Sequence, residues 1–363
     1  MPDPNTNQQI NMRALDRKIP VTILCGFLGS GKTTLLNHIL EHSYGKRIAV
    51  IVNEFGEVNV DSKLVKHTTE KMIELSNGCI CCTLRGDLIE GVHNLIQEHD
   101  MDHIVIESTG IGEPIPIAQA FYVQPELLAL EPGIPNIQHR VYVDSLITVV
   151  DSSQFMEMYQ RNSTVEGDDF NRGYGQLLAE QIEGADILIL NKTDQASASQ
   201  IDTLEKLFST MNPRAVIYES EYGQIDPGEI LNTGIFDIQT AEQSSLWVAE
   251  LEKEPGSEAD EYGIETFVYT TSGRFEERKL IDTLNGGLPE NILRSKGLIA
   301  IEGSDAAFLW SQAGKFLQFQ QIGRFANPEQ AKSEIVFIGQ NLNRKYISRL
   351  LEKAKAVSVM QDS

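Results

Sequence analysis

The sequence has little of three features that mark familiar protein classes. It contains 4 cysteines, 30 basic residues against 52 acidic ones, and no apolar run as long as a transmembrane helix. So few cysteines, unevenly spread, exclude a disulfide-stapled fold. The formal net charge of −22 argues against nucleic acid or an anionic membrane as the main partner. The charge either provides solubility or suits cations and basic partners.

The first 18 residues, MPDPNTNQQINMRALDRK, hold no apolar stretch that could form the core of a signal peptide. We therefore expect a cytoplasmic protein with no nucleic-acid and no membrane partner. A length of 363 residues and an apolar content of 41% are sufficient for two domains with cores of their own.

The first of these domains is predicted over residues 19–236, where short β-rich apolar runs alternate with longer helical patterns. This order is typical of an α/β fold, and the absence of strict polar alternation indicates strands buried on both faces. We predict a doubly wound, mostly parallel sheet. Its six strands are predicted at 21–25, 47–52, 104–107, 146–151, 187–190 and 215–218.

The second domain is predicted over residues 263–356, after an acidic linker at 237–262 that is rich in Glu, Ser, Pro and Gly. We predict a smaller α+β unit, with residues 1–18 and 357–363 as tails. Its strand candidates are ETFVYT, LIAIEG, AAFLWSQ, KFLQFQ and EIVFIG, and its helices are predicted near 276–284 and 343–355.

A phosphate-binding loop follows the first predicted strand, VTILC. The segment GFLGSGKT matches the pattern G-x-x-x-x-G-K-[ST] and leads into a helical pattern, TLLNHIL. Glycines let successive backbone N–H groups and the helix N-terminus face the β-phosphate of a nucleotide. A lysine then bridges the β- and γ-phosphates, and the first threonine offers its hydroxyl to Mg²⁺. The predicted binding residues are Gly26, Gly29, Ser30, Gly31, Lys32, Thr33 and Thr34.

The base-reading element is predicted in the tetrad NKTD, which follows the apolar strand at 187–190. Ligands of open α/β sheets lie at the carboxyl ends of strands, where Asn191, Lys192 and Asp194 stand. The Asp194 carboxylate can accept both N1–H and the exocyclic amine of guanine. Adenine lacks this donor pair and would leave a buried carboxylate unpaired, at a cost of about 1–3 kcal/mol. The tetrad therefore predicts GTP.

Carboxylates for hydrolysis are predicted in two places. Glu107, at the end of the strand at 104–107, takes the position of the Mg²⁺-associated Asp of P-loop proteins; alternatively it is an acid that begins a helix. The polar loop at 53–61 is a natural switch region. Within it Glu54 and Asp61 are candidates for positioning water or supporting Mg²⁺, or are simply solvated.

The segment NGCICCT places three cysteines, Cys79, Cys81 and Cys82, within four residues. Three thiolates concentrate negative charge that a soft divalent ion neutralises, and Zn²⁺ suits thiolate ligands. Three ligands leave one position open for transfer; His67 is the candidate for a fourth. The alternatives are a redox-active thiol group and inert core cysteines, which is the role expected of Cys25.

The motifs GFLGSGKTTLLNHIL, VNEFGEVNVD, ELSNGCICCTLRGDL, ESTGIGEP and NKTD together resemble the CobW family of P-loop GTPases, in order and in spacing. The segments ETFVYTTSGRFEERKL, LRSKGLIAIEG and IVFIGQNLNRKYISRLL resemble the family's C-terminal domain. The first and third of the N-terminal motifs are most similar to bacterial members associated with zinc limitation. The chain departs from many members in lacking a His-rich loop, and in reading Arg274-Phe275-Glu276 where they carry Pro-Phe-His.

The resemblance implies a GTP-hydrolysing metallochaperone that holds zinc at the Cys-x-Cys-Cys motif and passes it to a metal-requiring client protein, whose identity the sequence leaves open. Cobalt, for a corrin pathway or nitrile hydratase, is the alternative metal. Two readings of another class are a small-molecule kinase with a structural zinc, against which NKTD argues, and a GTP-switched binding module. The oligomeric state is open, and a homodimer is compatible with the sequence.

Overall fold

A computed structural model describes residues 18–53, 72–75, 83–122, 135–161, 163–165, 173–243, 264–285, 288–325, 327–328 and 331–356. The chain divides into two compact units. The first takes the described residues of 1–153, 180–201 and 214–243, and the second takes those of 154–179, 202–213 and 244–363.

Twelve strands and ten helices are named below in chain order. The strands are β1 Ile19–Cys25, β2 Ile48–Asn53, β3 Met72–Leu75, β4 His103–Glu107, β5 Val141–Asp151, β6 Ile187–Asn191, β7 Val216–Glu219, β8 Glu265–Thr271, β9 Ile292–Ala300, β10 Ala306–Ala313, β11 Phe316–Arg324 and β12 Ser333–Gly339. The helices are α1 Lys32–Glu41, α2 Thr83–Glu98, α3 Pro114–Gln119, α4 Phe155–Tyr159, α5 Tyr174–Glu183, α6 Ala198–Met211, α7 Pro227–Ile230, α8 Ile238–Gln243, α9 Glu277–Asn285 and α10 Arg344–Lys353.

The first sheet has seven strands in the order β3-β2-β4-β1-β5-β6-β7, and all its pairs are parallel. From β1 the chain builds the sheet toward one edge and returns as β4. It then crosses to β5 and builds toward the other edge. The order therefore reverses around β1, and crevices at the carboxyl ends of strands at such a point hold ligands in α/β proteins.

Apolar side chains cover both faces of this sheet, as predicted. On one face α1 packs Leu35, Leu36 and Ile39 against Leu24 of β1 and the strands beside it. The other face holds α2, whose buried side chains join a second cluster with residues of β1, β2 and β4. That cluster includes Val21, Ile23, Ile51, Leu88, Val92, Leu95 and Ile104.

The second sheet has five antiparallel strands in the order β11-β10-β9-β12-β8. Its core is built around the buried Trp310, which meets Phe337 edge-on at 6.1 Å between ring centroids. The indole Nε1 of Trp310 donates to Ser295 Oγ over 2.8 Å, so its polar atom is satisfied inside the core. Leu280 of α9 and Ile347 of α10 join the same core.

The turn at Arg274-Phe275-Glu276 is held in place by hydrogen bonds from its arginine. The Arg274 guanidinium donates to the carbonyls of Ile301 at 2.9 Å, Ser304 at 2.6 Å and Pro328 at 2.5 Å, and Phe275 beside it is fully buried. Arg274 therefore fastens its own turn to two backbone segments of the second unit, the connection at 301–304 and the segment at Pro328, which is a structural role.

The predicted fold class is confirmed, and several element bounds differ from those predicted. Strand β3 was not predicted, β5 begins five residues earlier than predicted, and β9 begins at Ile292 and not at 298. The predicted strand at 47–52 starts one residue too early, because β2 begins at Ile48 and the Arg47 side chain pairs with Asp102. The predicted linker at 237–262 opens with α8.

Candidate active site

The loop between β1 and α1 has a backbone that only glycine adopts comfortably at three positions. Gly26, Gly29 and Gly31 have φ angles of 137°, 75° and 104°. Space is restricted as well, because a Cβ on Gly26 would lie 2.2 Å from the Val149 carbonyl oxygen. A Cβ on Gly31 would lie 2.2 Å from Asn191 Nδ2. The loop thus packs directly against its neighbours, as a backbone cradle requires.

The Lys32 side chain is folded into this loop. Its Nζ donates to the carbonyl of Gly26 at 2.9 Å and to that of Phe27 at 3.2 Å. The Ser30 hydroxyl is buried and finds no hydrogen-bond partner in the described part of the chain, while Thr34 is exposed. A buried ammonium beside an unpartnered hydroxyl fits an anionic group such as phosphate.

Thr33 and Glu107 are brought together by the neighbouring strands β1 and β4. Thr33 Oγ1 donates to Glu107 Oε1 over 2.9 Å, and the glutamate is 3% exposed. Glu107 ends β4, whereas α3 begins at Pro114 with Glu113 before it, so Glu107 does not begin a helix. Mg²⁺ prefers oxygen ligands, and a hydroxyl and a carboxylate oxygen this close together can both bind one ion.

The tetrad after β6 fastens the phosphate loop. Asn191 is 1% exposed; its Nδ2 donates to the Ser30 carbonyl at 2.9 Å, and its Oδ1 accepts from Gly223 N at 2.9 Å. Lys192 has a left-handed φ of 60° and pairs through Nζ with Asp151 Oδ2 at 2.7 Å. Burial alone would raise the pKa of Asp151, but hydrogen bonds from Lys192 and Ser153 hold it below its ordinary value.

Asp194 lies in the single turn Thr193–Gln195 and is exposed. The turn is tied to the segment after β7, because the backbone N and the Oγ1 of Thr193 both donate to the Ser220 carbonyl, at 3.3 and 3.2 Å. The Asp194 carboxylate is therefore accessible at the carboxyl edge of the sheet, in a turn whose backbone is held in place by Ser220. A nucleotide base can approach it there.

Four buried hydroxyls without a hydrogen-bond partner among the described residues follow four strands of the sheet at this edge. They follow β1, β4, β5 and β7, and belong to Ser30, Thr109, Ser152 and Ser220. A buried hydroxyl without a partner costs about 1–3 kcal/mol of stability, so native proteins keep few of them. Their concentration at one edge fits a site shaped for a polar ligand.

Two site residues were not found from the sequence. Gly223 has a φ of 68°, and a Cβ there would lie 2.8 Å from Leu35 Cα of α1; a glycine two residues after a Ser-Glu pair behind β7 was the available signal. Gln181 is 1% exposed and its Nε2 donates to the carbonyls of Gly112 at 2.9 Å and Gly110 at 3.3 Å. Its signal was a glutamine among the apolar positions of α5.

Cys25 is a core thiol, as predicted. It is fully buried and accepts a hydrogen bond from Ser108 Oγ at 3.1 Å. Burial is the main cause that raises the pKa of Cys25 to about 12, so it stays protonated at neutral pH. Six candidate residues lie outside the described residues: Glu54, Asp61, His67, Cys79, Cys81 and Cys82.

The glycine loop, the Thr33–Glu107 pair and the tetrad define a P-loop nucleoside triphosphatase with a guanine-type base loop. The family model for the CobW/HypB/UreG nucleotide-binding domain matches residues 20–219, more than half of the chain. A second model, the cobalamin synthesis protein cobW C-terminal domain, matches residues 264–355. The chain belongs to the CobW family, and it is a GTPase.

Named relatives match most of the chain. Zinc-regulated GTPase metalloprotein activator 1 of Dictyostelium discoideum is 37% identical over 85% of this chain and 68% of its own length. Zinc chaperone CobW of a Sinorhizobium species is 31% identical over 90% of this chain and 94% of its own. The crystal structure of Zn(II)-bound YjiA GTPase from E. coli is 26% identical and covers 94% of this chain and 100% of that one, with a TM-score of 0.42.

Within the part of the chain that the structure describes, no helix is both long and apolar enough to cross a membrane.

Proposed function

We propose that this GTPase is a zinc chaperone that binds the ion at Cys79, Cys81 and Cys82 and passes it to a client protein in a step controlled by GTP. The zinc named in its relatives, a GTPase metalloprotein activator and zinc chaperones, supports this reading. Three thiolates bind Zn²⁺ strongly and leave a fourth position that a client's ligand can take.

The observation that carries the proposal is the position of the two elements that flank the cysteine segment in the chain. Strand β3 ends at Leu75 and α2 begins at Thr83, so the segment is bounded by an edge strand of the nucleotide-binding sheet and by a helix that packs on that sheet. All seven strands are parallel, so the carboxyl end of β3 lies on the same edge as the phosphate loop. Three strand spacings of about 4.8 Å separate β3 from β1, or about 14 Å. A change at the γ-phosphate would have to cross that distance to reach the end of β3, from which the chain continues into the cysteine segment.

In this proposal each remaining site residue has one role. Lys32 and the N–H groups of the loop from Gly26 to Thr34 bind the phosphates, and Asp194 reads guanine while Asn191 and Lys192 position its turn. Thr33 and Glu107 would hold Mg²⁺, which when bound neutralises charge that develops on the phosphoryl group. Glu54 is proposed to position the attacking water. Residues 19–236 and 263–356 are proposed as the two functional domains.

Replacing the three cysteines tests the metal site. The triple variant Cys79→Ser, Cys81→Ser, Cys82→Ser should lose one bound zinc ion per chain and the effect of zinc on GTP affinity. GTP binding without metal should stay within about twofold, because none of the three replaced cysteines belongs to a nucleotide-binding motif. The matched control is Cys25→Ala, the fourth cysteine, which should retain the ion. Zinc stoichiometry that is unchanged in the triple variant contradicts the proposal.

A direct assay separates the chaperone from the small-molecule kinase that the sequence alone left as an alternative. A kinase would transfer the γ-phosphate to an acceptor and hydrolyse GTP slowly without it. The chaperone should release inorganic phosphate from GTP in the absence of any acceptor, and should release it faster when a client is present.

A further inference from the structure

Two histidines stand together at the end of α1. His38 and His42 are four residues apart, so they lie on the same side of the helix. Their ring centroids are 4.2 Å apart with 34° between the ring planes. His38 is half-buried and His42, the residue that caps the helix, is exposed. The pair lies six to ten residues beyond Lys32, about 9–15 Å along the helix from the phosphate loop.

A backbone carbonyl fixes one ring nitrogen of each histidine. His42 Nδ1 lies 2.9 Å from the carbonyl oxygen of His38. A carbonyl only accepts, so Nδ1 carries the hydrogen of this bond, and Nε2 takes no part in it. His38 has a backbone hydrogen bond at Ile225 that raises its pKa, which requires a ring N–H donating to that carbonyl. The second nitrogen of His38 takes no part in that bond.

The surroundings of the pair attract a cation. The carboxylates of Glu41 and Asp226 add negative potential at His38, and the carboxyl end of α1 adds the negative pole of its dipole. In metal-ligating histidines the second ring nitrogen usually donates its hydrogen to a backbone carbonyl or a carboxylate, as one nitrogen of each ring does here to a carbonyl.

We propose that His38 and His42 form a binding site for one divalent transition-metal ion of the Zn²⁺, Ni²⁺ and Cu²⁺ class, separate from the cysteine motif. Imidazole nitrogen suits these ions and does not suit Mg²⁺. Among the described residues no set of three His, Cys, Asp or Glu side chains converges on one point. The two imidazoles would supply two positions, which makes a site that is open to further ligands such as water.

The test uses the full chain in two backgrounds, with native cysteines and with Cys79, Cys81 and Cys82 replaced by serine. In each, Zn²⁺ is titrated calorimetrically into metal-free protein. We expect His42→Gln to bind one ion fewer per chain than its parent. His139→Gln, which removes another exposed histidine, should bind as many as the parent. With Cu²⁺ on the serine background, electron paramagnetic resonance should show coupling to two nitrogens, reduced to one in His42→Gln.

Equal zinc stoichiometry in His42→Gln and His139→Gln, in either background, overturns the site and leaves His38 as a tether between α1 and Ile225. His42 is exposed, so its replacement should not move the thermal unfolding midpoint, which is measured on every variant. The proposal does not rest on the zinc-chaperone function. Loss of an ion on replacing the cysteines tests that function, and loss of an ion on replacing His42 tests this site.

Discussion

Buried side-chain hydroxyls lie toward both edges of the parallel sheet, and the hydroxyls of the two edges differ in whether they have a hydrogen-bond partner among the described residues. Toward the amino ends of the strands, Thr22 Oγ1 lies 2.8 Å from His103 Nε2 and donates to Asp144 Oδ2 at 3.3 Å. Asp144 also accepts from Gly234 N at 2.7 Å. At the carboxyl edge the hydroxyls of Ser30 and Thr109 are buried without a hydrogen-bond partner in the described structure.

The difference separates polar groups that serve the fold from those that serve a ligand. Groups that bond to one another repay their desolvation within the protein. Groups buried without partners cost stability and persist where a ligand needs them. Changes at the carboxyl edge should therefore alter nucleotide handling and leave the fold standing, whereas changes at the amino edge should alter stability alone.

The largest effect is expected from Lys32→Ala. The lysine stabilises charge on the transferring phosphoryl group, and loss of such a group costs about 10²–10³ in turnover, or about 2.7–4 kcal/mol. Phosphate release under saturating GTP measures the loss, and circular dichroism checks that the fold is intact. Turnover equal to that of the native chain would mean that this edge is not the active site.

A pair of glycine substitutions sharpens the contrast within the loop. Gly29→Ala and Gly31→Ala both force a side chain into a positive φ, which costs roughly 1–2 kcal/mol. Only the Gly31 side chain would meet Asn191 Nδ2, at 2.2 Å; at Gly29 nothing lies within 4 Å. GTP affinity should therefore fall at least about tenfold more in Gly31→Ala, a further 1.4 kcal/mol. Equal losses would show that the Asn191 contact does not shape the site.

Asp194→Asn should change the base that is preferred. An amide offers a donor where the carboxylate accepted two hydrogen bonds, so GTP affinity should fall by about 1–3 kcal/mol and xanthosine triphosphate affinity should rise. Competition binding with GTP, ATP and xanthosine triphosphate measures the switch. Comparable GTP and ATP turnover in the native chain would remove the basis of this assignment.

The smallest effect is expected from pH, at the amino edge. Burial lowers the pKa of His103 from its ordinary 6.5 to about 4, so its contribution is complete above pH 6.5 and is lost as the pH falls to 4. Burial raises the pKa of Asp186 from 3.8 to about 6, so its contribution is present below pH 3.8 and is lost as the pH rises through 6. The two slopes oppose, and their sum across pH 4–6.5 is about 1 kcal/mol or less.

Asp186→Asn removes the contribution of Asp186, so that the pH dependence caused by His103 can be measured alone. The amide oxygen can still accept the bond that Leu146 N makes to Asp186 Oδ2 at 2.8 Å. Without the acid, His103 acts alone, and the unfolding free energy of the variant should fall by about 3 kcal/mol more than that of the native chain between pH 6.5 and 4. GTP affinity at pH 7 should not change. Parallel curves for the two proteins would contradict the assignment.

The sequence was most informative for features that are determined by residues close together in the chain. The phosphate loop and tetrad could be placed because glycines, strand ends and helix starts are set by nearby residues. Strand β3 was missed because it has four residues and lies at the sheet edge, and its place depends on pairing with β2. The link from Asn191 to Ser30 and Gly223 joins residues far apart in the chain, and no local pattern encodes such a contact.

Zinc affinity in three nucleotide states tests the central claim most directly. Metal-free protein is titrated with Zn²⁺ in the presence of GTP with Mg²⁺, of GDP with Mg²⁺, and without nucleotide, with His42→Gln used so that only the cysteine site is read. We predict the tightest binding with GTP, by about tenfold over GDP, which corresponds to about 1.4 kcal/mol of coupling. Linkage then requires zinc to tighten GTP binding by the same factor. Equal zinc affinity in all three states would contradict the account and make the cysteines a structural clamp.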